Sequence, residues 1–310
     1  MRKVIAAAIQ ASPVYLDLEE SLTKAASLIG DAASRGANIV AFPETWLPGY
    51  PAWLDCCRDV ALWDHDPVKK VYARLMENSV VVPSESTERV GDAARQSGVC
   101  VSIGVNERVT HGPGRGTLYN SLLTFGADGR LLNHHRKIMP TYTERMIWGE
   151  GDGSSLAGVQ TEFGRIGGLI CWEHWMPLAR HALHCSGEDI HVAVWPQVKE
   201  MNLVASRQYA FEGRCFVLAT GAVMKAGELP ADLEPIPALV DPDAPVLRGG
   251  SAIIGPDGSI LAGPCVDEET ILTAELDYSR IAEESMTLDV TGHYYRPDVF
   301  EFRLKARNDG

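Results

Sequence analysis

The sequence predicts an α/β fold, and three observations lead to this prediction. A buried strand, an amphipathic helix and a second buried strand follow one another within the first 42 residues, which is the order of a parallel crossover unit. Strand-like and helix-like stretches are then interspersed along most of the chain. Several strand-like pairs are joined by tight turns, which indicates hairpins. Two mixed β-sheets packed face to face, with helices outside each, would accommodate this pattern, but periodicity alone is equally compatible with one doubly wound sheet.

The first helix has the clearest signals at its ends. Asp17 stands at the N-cap position, and Glu20 follows at the capping-box position. Leu22 and Ile29 belong to an apolar face with helical spacing, and Gly36 is a natural stop. We therefore expect a helix between these ends, packed through one face onto the sheet.

The other elements follow from the same periodicities. Further helices are predicted at about 66–78, 84–96, 178–183 and 202–214. Strands are predicted at about 3–10, 38–42, 99–109, 118–125, 130–137, 161–163, 165–171, 189–195, 215–222, 251–254, 260–262 and 270–276. The stretch 226–248 is rich in Pro, Asp and Glu and predicts an exposed loop. No linker or low-complexity tract divides the chain, so we expect residues 1–285 to form one domain. Residues 286–310 are expected to be a tail that packs on the domain or on a neighbouring subunit.

Composition excludes several classes of function. The chain has 310 residues and a formal net charge of -13, and an acidic protein without a basic cluster is a poor candidate for binding nucleic acid or anionic membranes. No stretch reaches the roughly 18 apolar residues of a membrane-spanning helix. Seven irregularly spaced cysteines indicate free thiols in a reducing compartment rather than a disulfide framework. We expect a cytoplasmic protein.

Three reactive side chains stand at the ends of predicted strands: Glu44, Lys137 and Cys171. A carboxylate can take a thiol proton, a thiolate can attack an electrophilic carbon, and an ammonium group can stabilise developing negative charge. Pro177 suits the first turn of a helix just beyond the cysteine, and the positive end of that helix would favour the thiolate. Taken singly, the three have ordinary alternatives: a loop acid, a surface cation and a small buried hydrophobe.

Three separated motifs resemble those of the nitrilase superfamily of carbon–nitrogen hydrolases. They read PETWLPGYP around Glu44, HRKIMPTYTERMIWGEGDGS around Lys137 and Glu144, and CWEHWMPLAR around Cys171. The resemblance continues to GHYYRPDVF at 292–300 and so covers nearly the full chain. The amino-acid sequences of the three motifs are more similar to those of the true nitrilase branch than to those of the aliphatic amidase or carbamoylase branches.

This resemblance implies a four-layer αββα sandwich of two mixed β-sheets flanked by helices. It implies a catalytic set of Glu44, Lys137 and Cys171, with Glu144 as a second glutamate. The implied reaction is hydrolysis of a nitrile to the carboxylic acid and ammonia, through a thioimidate and a thioester on the cysteine and without a cofactor. The implied assembly is a homo-oligomer built from dimers, extended in this branch to spirals or filaments. The chain stops soon after its 292–300 motif, so filament formation stays an open question.

Other candidate residues have weaker support. Trp172 and Trp195 are expected either to line the substrate pocket or to pack in the core. His181 and His184 lie on an ordinary amphipathic helix without a tetrahedral ligand set, so no metal site is expected. His134 and His135 alternate on a strand, and structural roles are expected for them. Two alternative functions remain at this point: an amide-directed hydrolase of the same superfamily, or a catalytically silent scaffold homologue.

Overall fold

The computed structural model describes residues 3–305, and its described strands form two mixed β-sheets. The strands are β1 (Val4–Gln10), β2 (Ile39–Ala41), β3 (Cys100–Arg108), β4 (Leu118–Phe125), β5 (Leu131–Arg136), β6 (Val159–Thr161), β7 (Gly164–Ile170), β8 (Ile190–Val194), β9 (Phe216–Thr220), β10 (Val223–Lys225), β11 (Pro245–Ile254), β12 (Ile260–Val266) and β13 (Thr270–Leu276). The first sheet has the order β13-β1-β2-β3-β4-β5, and the second has the order β10-β11-β9-β8-β7-β6 with β12 paired to β11.

Each sheet has a parallel centre and antiparallel margins. In the first, β1, β2 and β3 are parallel neighbours, and β13, β4 and β5 add antiparallel pairs. In the second, β7, β8 and β9 are parallel. Neighbouring parallel strands end at the same edge of their sheet. The loops that follow β2 in the first sheet and β7 in the second leave from such an edge, where loops can carry reactive groups.

Residues 3–305 contain seven α-helices, four of which cover the outer faces of the two sheets. The seven helices are α1 (Leu18–Ser34), α2 (Trp53–Cys56), α3 (Asp66–Glu77), α4 (Glu85–Ser97), α5 (Pro177–Cys185), α6 (Glu200–Gly213) and α7 (Ser279–Ser285). Helices α1 and α4 pack on the first sheet, and α5 and α6 pack on the second. The four-layer αββα sandwich is thereby confirmed, and the alternative of a single doubly wound sheet is wrong.

Strand β1 shows why its sequence is an almost unbroken apolar run. Ala6 and Ala8 pack towards the second sheet, whereas Ala7 and Ile9 pack among the residues of α1 and α4. A central strand of such a sandwich is buried on both faces, so both sets of alternating side chains must be apolar.

Several sequence predictions need correction. Strands β11 and β12 are longer than the strands predicted at 251–254 and 260–262, and α2, α7 and β10 were not predicted. The stretch 226–248 is not simply an exposed loop, because Leu229 and Leu233 are buried beside Trp53 and Leu54. Short 3₁₀ turns at Ala226–Glu228 and Pro237–Leu239 shape this stretch before β11 begins. The strand predicted at 161–163 lies two residues earlier, as β6.

The chain after α7 is irregular, and part of it lies against the sandwich. The carbonyl of Leu288 accepts a hydrogen bond from the Arg214 guanidinium at 3.1 Å, and the Phe302 ring contacts His181 with centroids 5.0 Å apart. Other apolar side chains of this segment, including Phe300, are exposed. The predicted boundary at 285 stays a prediction, and residues 306–310 lie outside the described residues. Among residues 3–305, no helix has the length and hydrophobicity needed to span a membrane.

Candidate active site

The three predicted reactive residues converge at one end of the sandwich. Glu44 follows β2 and Lys137 follows β5, both in the first sheet, whereas Cys171 follows β7 of the second. All three side chains are buried, and so is Glu144, which lies on a 3₁₀ turn at Tyr142–Met146. The site therefore spans both sheets and exists only where their edges meet.

Lys137 lies between two carboxylates. Its Nζ donates to Oε1 of Glu44 at 2.9 Å and to Oε2 of Glu144 at 2.7 Å. Glu144 is itself held by the hydroxyl of Tyr50 at 3.0 Å and by the backbone N–H of Thr141 at 2.7 Å. Burial by itself would lower the pKa of Lys137, but the neighbouring negative charges, Glu44 foremost, raise that pKa above its usual value. The lysine is therefore an ammonium ion at neutral pH.

Glu44 has one occupied oxygen and one free oxygen. Oε1 accepts from Lys137 and from the amide of Asn120 at 2.6 Å, whereas Oε2 has no hydrogen-bond partner among residues 3–305. One carboxylate oxygen each from Glu44 and Glu144 and Sγ of Cys171 all lie within 4.8 Å of one another. Burial raises the pKa of Glu44 to about 7, although Lys137 opposes the shift. A carboxylate with this pKa can accept and return a proton near neutral pH.

Cys171 occupies a strained turn between β7 and a short 3₁₀ helix. Its φ is 52°, in the left-handed region that non-glycine residues seldom adopt, and the 3₁₀ helix runs from Cys171 to Trp175. Burial, followed by the charge of Glu44, raises the pKa of Cys171 well above its ordinary value. The expectation that a helix N-terminus favours the thiolate is wrong for this resting state, because α5 begins only at Pro177 and the sulfur is buried. The resting form is the thiol.

Glu173 links the two sheets through hydrogen bonds beside the reactive groups. Its carboxylate accepts the backbone N–H of Ile170, just before Cys171, and that of Ile138, just after Lys137, both at 2.7 Å. His135 contacts the same carboxylate at 2.9 Å. Burial opposes ionisation of Glu173, but His135 and the two N–H groups hold its pKa below the usual value. The sequence prediction missed this residue, whose one signal was its place two residues after the cysteine.

A cavity of about 1370 Å³ leads to Cys171 and Glu144. Its walls are mostly apolar and include the side chains of Tyr50, Met139, Tyr142, Trp172, Trp175 and Met176. Trp172 lines this cavity and is not packed in the core, and its role in binding substrate stays a prediction. Trp195 does not line it, because its ring is fully buried and stacks on His174 with centroids 4.8 Å apart. The backbone carbonyl of Trp195 instead accepts the N–H of Glu44 at 3.3 Å.

Two other histidines weighed in the sequence make contacts outside the Glu44–Lys137–Cys171 cluster. His134 contacts Glu107 at 2.7 Å, and His181 lies 3.5 Å from the thiol of Cys185. Among residues 3–305, the group of three potential metal ligands that the fold brings together is Glu44, Glu144 and Cys171. A cation there would meet the ammonium of Lys137, which already lies between the two carboxylates.

Comparisons with known proteins show the family and the fold. The profile of the carbon-nitrogen hydrolase family matches residues 5–284. An aliphatic nitrilase of Sinorhizobium fredii is 40% identical over 303 residues, which cover 97% of this chain and 95% of that protein. A nitrilase of Pseudomonas syringae is 39% identical, with 94% of this chain and 87% of that protein covered. Nit3 of Saccharomyces cerevisiae, whose structure is solved, has the same fold with a TM-score of 0.70 at 19% identity, covering 94% of this chain and 97% of that one.

Proposed function

The chain belongs to the nitrilase branch of the carbon–nitrogen hydrolase family, and from this premise we propose that it hydrolyses an organic nitrile to the carboxylic acid and ammonia. Relatives named as nitrilases, about 40% identical over nearly the whole chain, support a nitrile as substrate. The observation that carries the proposal is the buried cluster of thiol, carboxylate and ammonium at a mostly apolar cavity. We propose Glu44, Lys137 and Cys171 as its catalytic residues, with Glu144 orienting the lysine.

The first step is attack of Cys171 on the nitrile carbon. Oε2 of Glu44 accepts the thiol proton as the S–C bond forms, because the high pKa of the buried thiol disfavours a free thiolate beforehand. The nitrile nitrogen gains electron density and takes the proton, which gives a neutral thioimidate on the cysteine. Lys137 and the backbone N–H of Trp172, in the first turn of the 3₁₀ helix, stabilise the charge that develops on nitrogen.

Two water molecules complete the reaction. The first adds to the thioimidate carbon, with Glu44 taking its proton, to give a tetrahedral intermediate. The nitrogen is protonated and leaves as ammonia, and a thioester remains on Cys171. A second water, deprotonated by Glu44, attacks the thioester, and the carboxylic acid leaves as the sulfur regains its proton. One nitrile and two waters thus give one acid and one ammonia, and the enzyme returns to its starting state.

Cys171→Ala tests this proposal most directly. The variant should lose turnover, because Cys56, the other thiol that lines the cavity, does not belong to the cluster that Cys171 forms with Glu44 and Glu144. Cys185→Ala removes an exposed thiol and is the matched control, with turnover like that of the parent. Intact-mass spectrometry of a Glu144→Gln enzyme with a slow nitrile should show a covalent adduct that Cys171→Ala lacks. Substantial turnover by Cys171→Ala would refute covalent catalysis at this residue.

Matched substrate pairs test the reaction itself. Phenylacetonitrile and butyronitrile should release ammonia and acid faster than phenylacetamide and butyramide, because an amide needs partners for both its carbonyl oxygen and its NH₂ group. Faster release from the amide in both pairs would place this chain among amide hydrolases. No hydrolysis of either nitriles or amides would favour the scaffold alternative.

A further inference from the structure

A row of buried polar side chains runs from the nucleophile into the layer between the second sheet and α6. It starts at the backbone carbonyl of Cys171, which lies 2.7 Å from Nδ1 of His174. Nε2 of His174 lies 3.0 Å from Nε2 of His191, and Nδ1 of His191 lies 2.9 Å from Oε1 of Glu188. The hydroxyl of Tyr209 donates to the other oxygen of Glu188. We call His174, His191, Glu188 and Tyr209 the buried polar row.

Hydrogen-bond chemistry fixes the tautomers along this row. A carbonyl oxygen only accepts, so Nδ1 of His174 must carry a hydrogen. Burial, together with His191, lowers the pKa of His174 to about 3, which leaves the ring neutral and its Nε2 an acceptor. Nε2 of His191 must then be the donor. The row ends with one proton shared between Nδ1 of His191 and Oε1 of Glu188.

Of the two groups, Glu188 holds that last proton more tightly. Burial lowers the pKa of His191 well below its ordinary value and raises the pKa of Glu188 to about 7. A neutral carboxylic acid can donate to His191 while its second oxygen accepts from Tyr209. The carboxyl fits only because residue 167 is a glycine, since a Cβ there would come within 1.7 Å of Oε1.

We infer that His174 is a positioning residue for the nucleophile, holding the carbonyl of Cys171 through an Nδ1–H whose tautomer is set by His191 and Glu188. This inference rests on the proposed role of Cys171. A left-handed conformation at a non-glycine residue persists only where surrounding contacts over-determine it. The bond from His174 supplies such a contact at the strained residue itself.

The same ring also connects to the proposed base. His174 stacks on Trp195, whose backbone carbonyl accepts the N–H of Glu44. The carbonyl of His174 accepts from Nη1 of Arg180 at 2.9 Å, which ties the 3₁₀ helix to α5. A shift of His174 would therefore displace Cys171 first and the Glu44 backbone second.

Two variants with the same number and branching of side-chain heavy atoms separate a hydrogen bond from simple packing. His174→Asn places an amide N–H near the position of Nδ1, whereas His174→Leu has no donor. We expect His174→Leu to lower kcat on the order of 10²-fold, as misplacement of a reacting atom does, with little change in KM. His174→Asn should recover most of that loss. His111→Leu, at an exposed loop histidine, is the control for the same chemical change and should match the parent.

Glu188, at the far end of the buried polar row, gives a second and independent pair of variants. Glu188→Gln keeps an N–H for His191 and an oxygen for Tyr209, whereas Glu188→Leu keeps neither. We expect only Glu188→Leu to reduce kcat. In ¹⁵N-histidine NMR spectra, the parent and Glu188→Gln should show His174 protonated at Nδ1 and His191 at Nε2, and Glu188→Leu should lose that pattern.

The outcomes distinguish this inference from the proposed function. If Cys171→Ala is inactive while His174→Leu turns over like the parent, the positioning role is wrong and the covalent mechanism stands. Equal loss in His174→Asn and His174→Leu also overturns it, because packing alone would then account for the effect. Turnover by Cys171→Ala would refute the proposed function instead. If His174→Leu does not fold, the Glu188 pair and the NMR tautomers decide the question.

Discussion

At the scale of single residues, the proposed base, Glu44, lies in an interior that disfavours its charged form. Its pKa is raised by burial to about 7, so the ionised fraction decreases as the pH falls through that value. Since the ionised form is the base, kcat/KM for a non-ionising nitrile should fall about tenfold per pH unit below pH 7 and level off above it. A pH–rate profile from pH 5 to 9 measures this. A kcat/KM that stays constant down to pH 5 would contradict the assignment.

Lys137 leads to a prediction about metal ions. Its ammonium lies between the carboxylates that a cation would need, so exhaustive chelation should leave the rate unchanged. Added Zn²⁺ should inhibit, because it competes for the thiol and carboxylates of the same site. The assay is best run in the Cys185→Ala background, which removes an exposed thiol that could bind zinc elsewhere. Activity that chelation abolishes and zinc restores would show that the enzyme needs a metal.

The sequence predicted which reactive groups stand at strand ends but not that those ends meet. Glu44, Lys137 and Cys171 are far apart in the chain, and their common site was implied by the family resemblance rather than by spacing. Glu173 and His174 were missed for a different reason. Both act on backbone groups, and which N–H or carbonyl they reach depends on the 3₁₀ turn after Cys171, which has no distinct periodic signal.

At the scale of elements, β3 passes directly beneath the proposed base. A Cβ on Gly104 would lie 2.4 Å from both the carbonyl oxygen of Pro43 and the nitrogen of Thr45. Backbone cannot move aside as a flexible side chain can, so Gly104→Ala should displace the Glu44 segment. We expect a loss of about 1–3 kcal/mol in the free energy of unfolding and a fall in kcat on the order of 10²-fold.

Gly30→Ala is the matched control for that change. Gly30 lies in α1, where an added Cβ meets nothing within 4 Å, and alanine is favoured over glycine inside a helix by roughly 0.5–1 kcal/mol. Urea unfolding and turnover of both variants make the comparison. If Gly104→Ala is as stable and active as Gly30→Ala, close packing of β3 against the Glu44 segment is not important.

Element boundaries were well predicted wherever apolar periodicity was long. Helix α1 begins after the predicted cap, with the Asp17 carboxylate accepting the N–H of Glu20 at 3.0 Å. The error at 226–248 has a physical cause. The many Pro and acidic residues of this stretch predicted an exposed loop, although Leu229 and Leu233 within it are buried. Isolated leucines in an irregular segment carry no period, so composition alone misled the prediction.

At the scale of the whole molecule, the segment after α7 presents two phenylalanines in opposite situations. Phe302 packs against His181, whereas Phe300 is 69% exposed. We expect Phe302→Ser to lower the free energy of unfolding by about 1–3 kcal/mol, as loss of a partly buried ring does. Phe300→Ser should leave the fold intact but reduce the size of a homo-oligomer, if this tail lies against a neighbouring subunit.

Light scattering coupled to size-exclusion chromatography, alongside urea unfolding, separates the two effects. Phe302→Ser should change unfolding, and Phe300→Ser should change assembly. An unchanged oligomer in Phe300→Ser would indicate that the tail packs only on its own domain.

The thiol resting state of Cys171 also bears on how the protein withstands oxidants. Peroxide attacks thiolates at exposed positions, and the first product, a sulfenic acid, forms fastest where both conditions hold. Cys171 lines the cavity and so is within reach of a small peroxide, but its raised pKa keeps it in the thiol form, so it does not meet the thiolate condition. In the proposed mechanism, the proton that Glu44 removes at the start of each catalytic cycle is thus the same proton that keeps the sulfur of Cys171 unreactive between cycles. The low reactivity of the Cys171 thiol in the absence of substrate therefore protects it from oxidation. We expect peroxide to oxidise an exposed thiol such as Cys185 first.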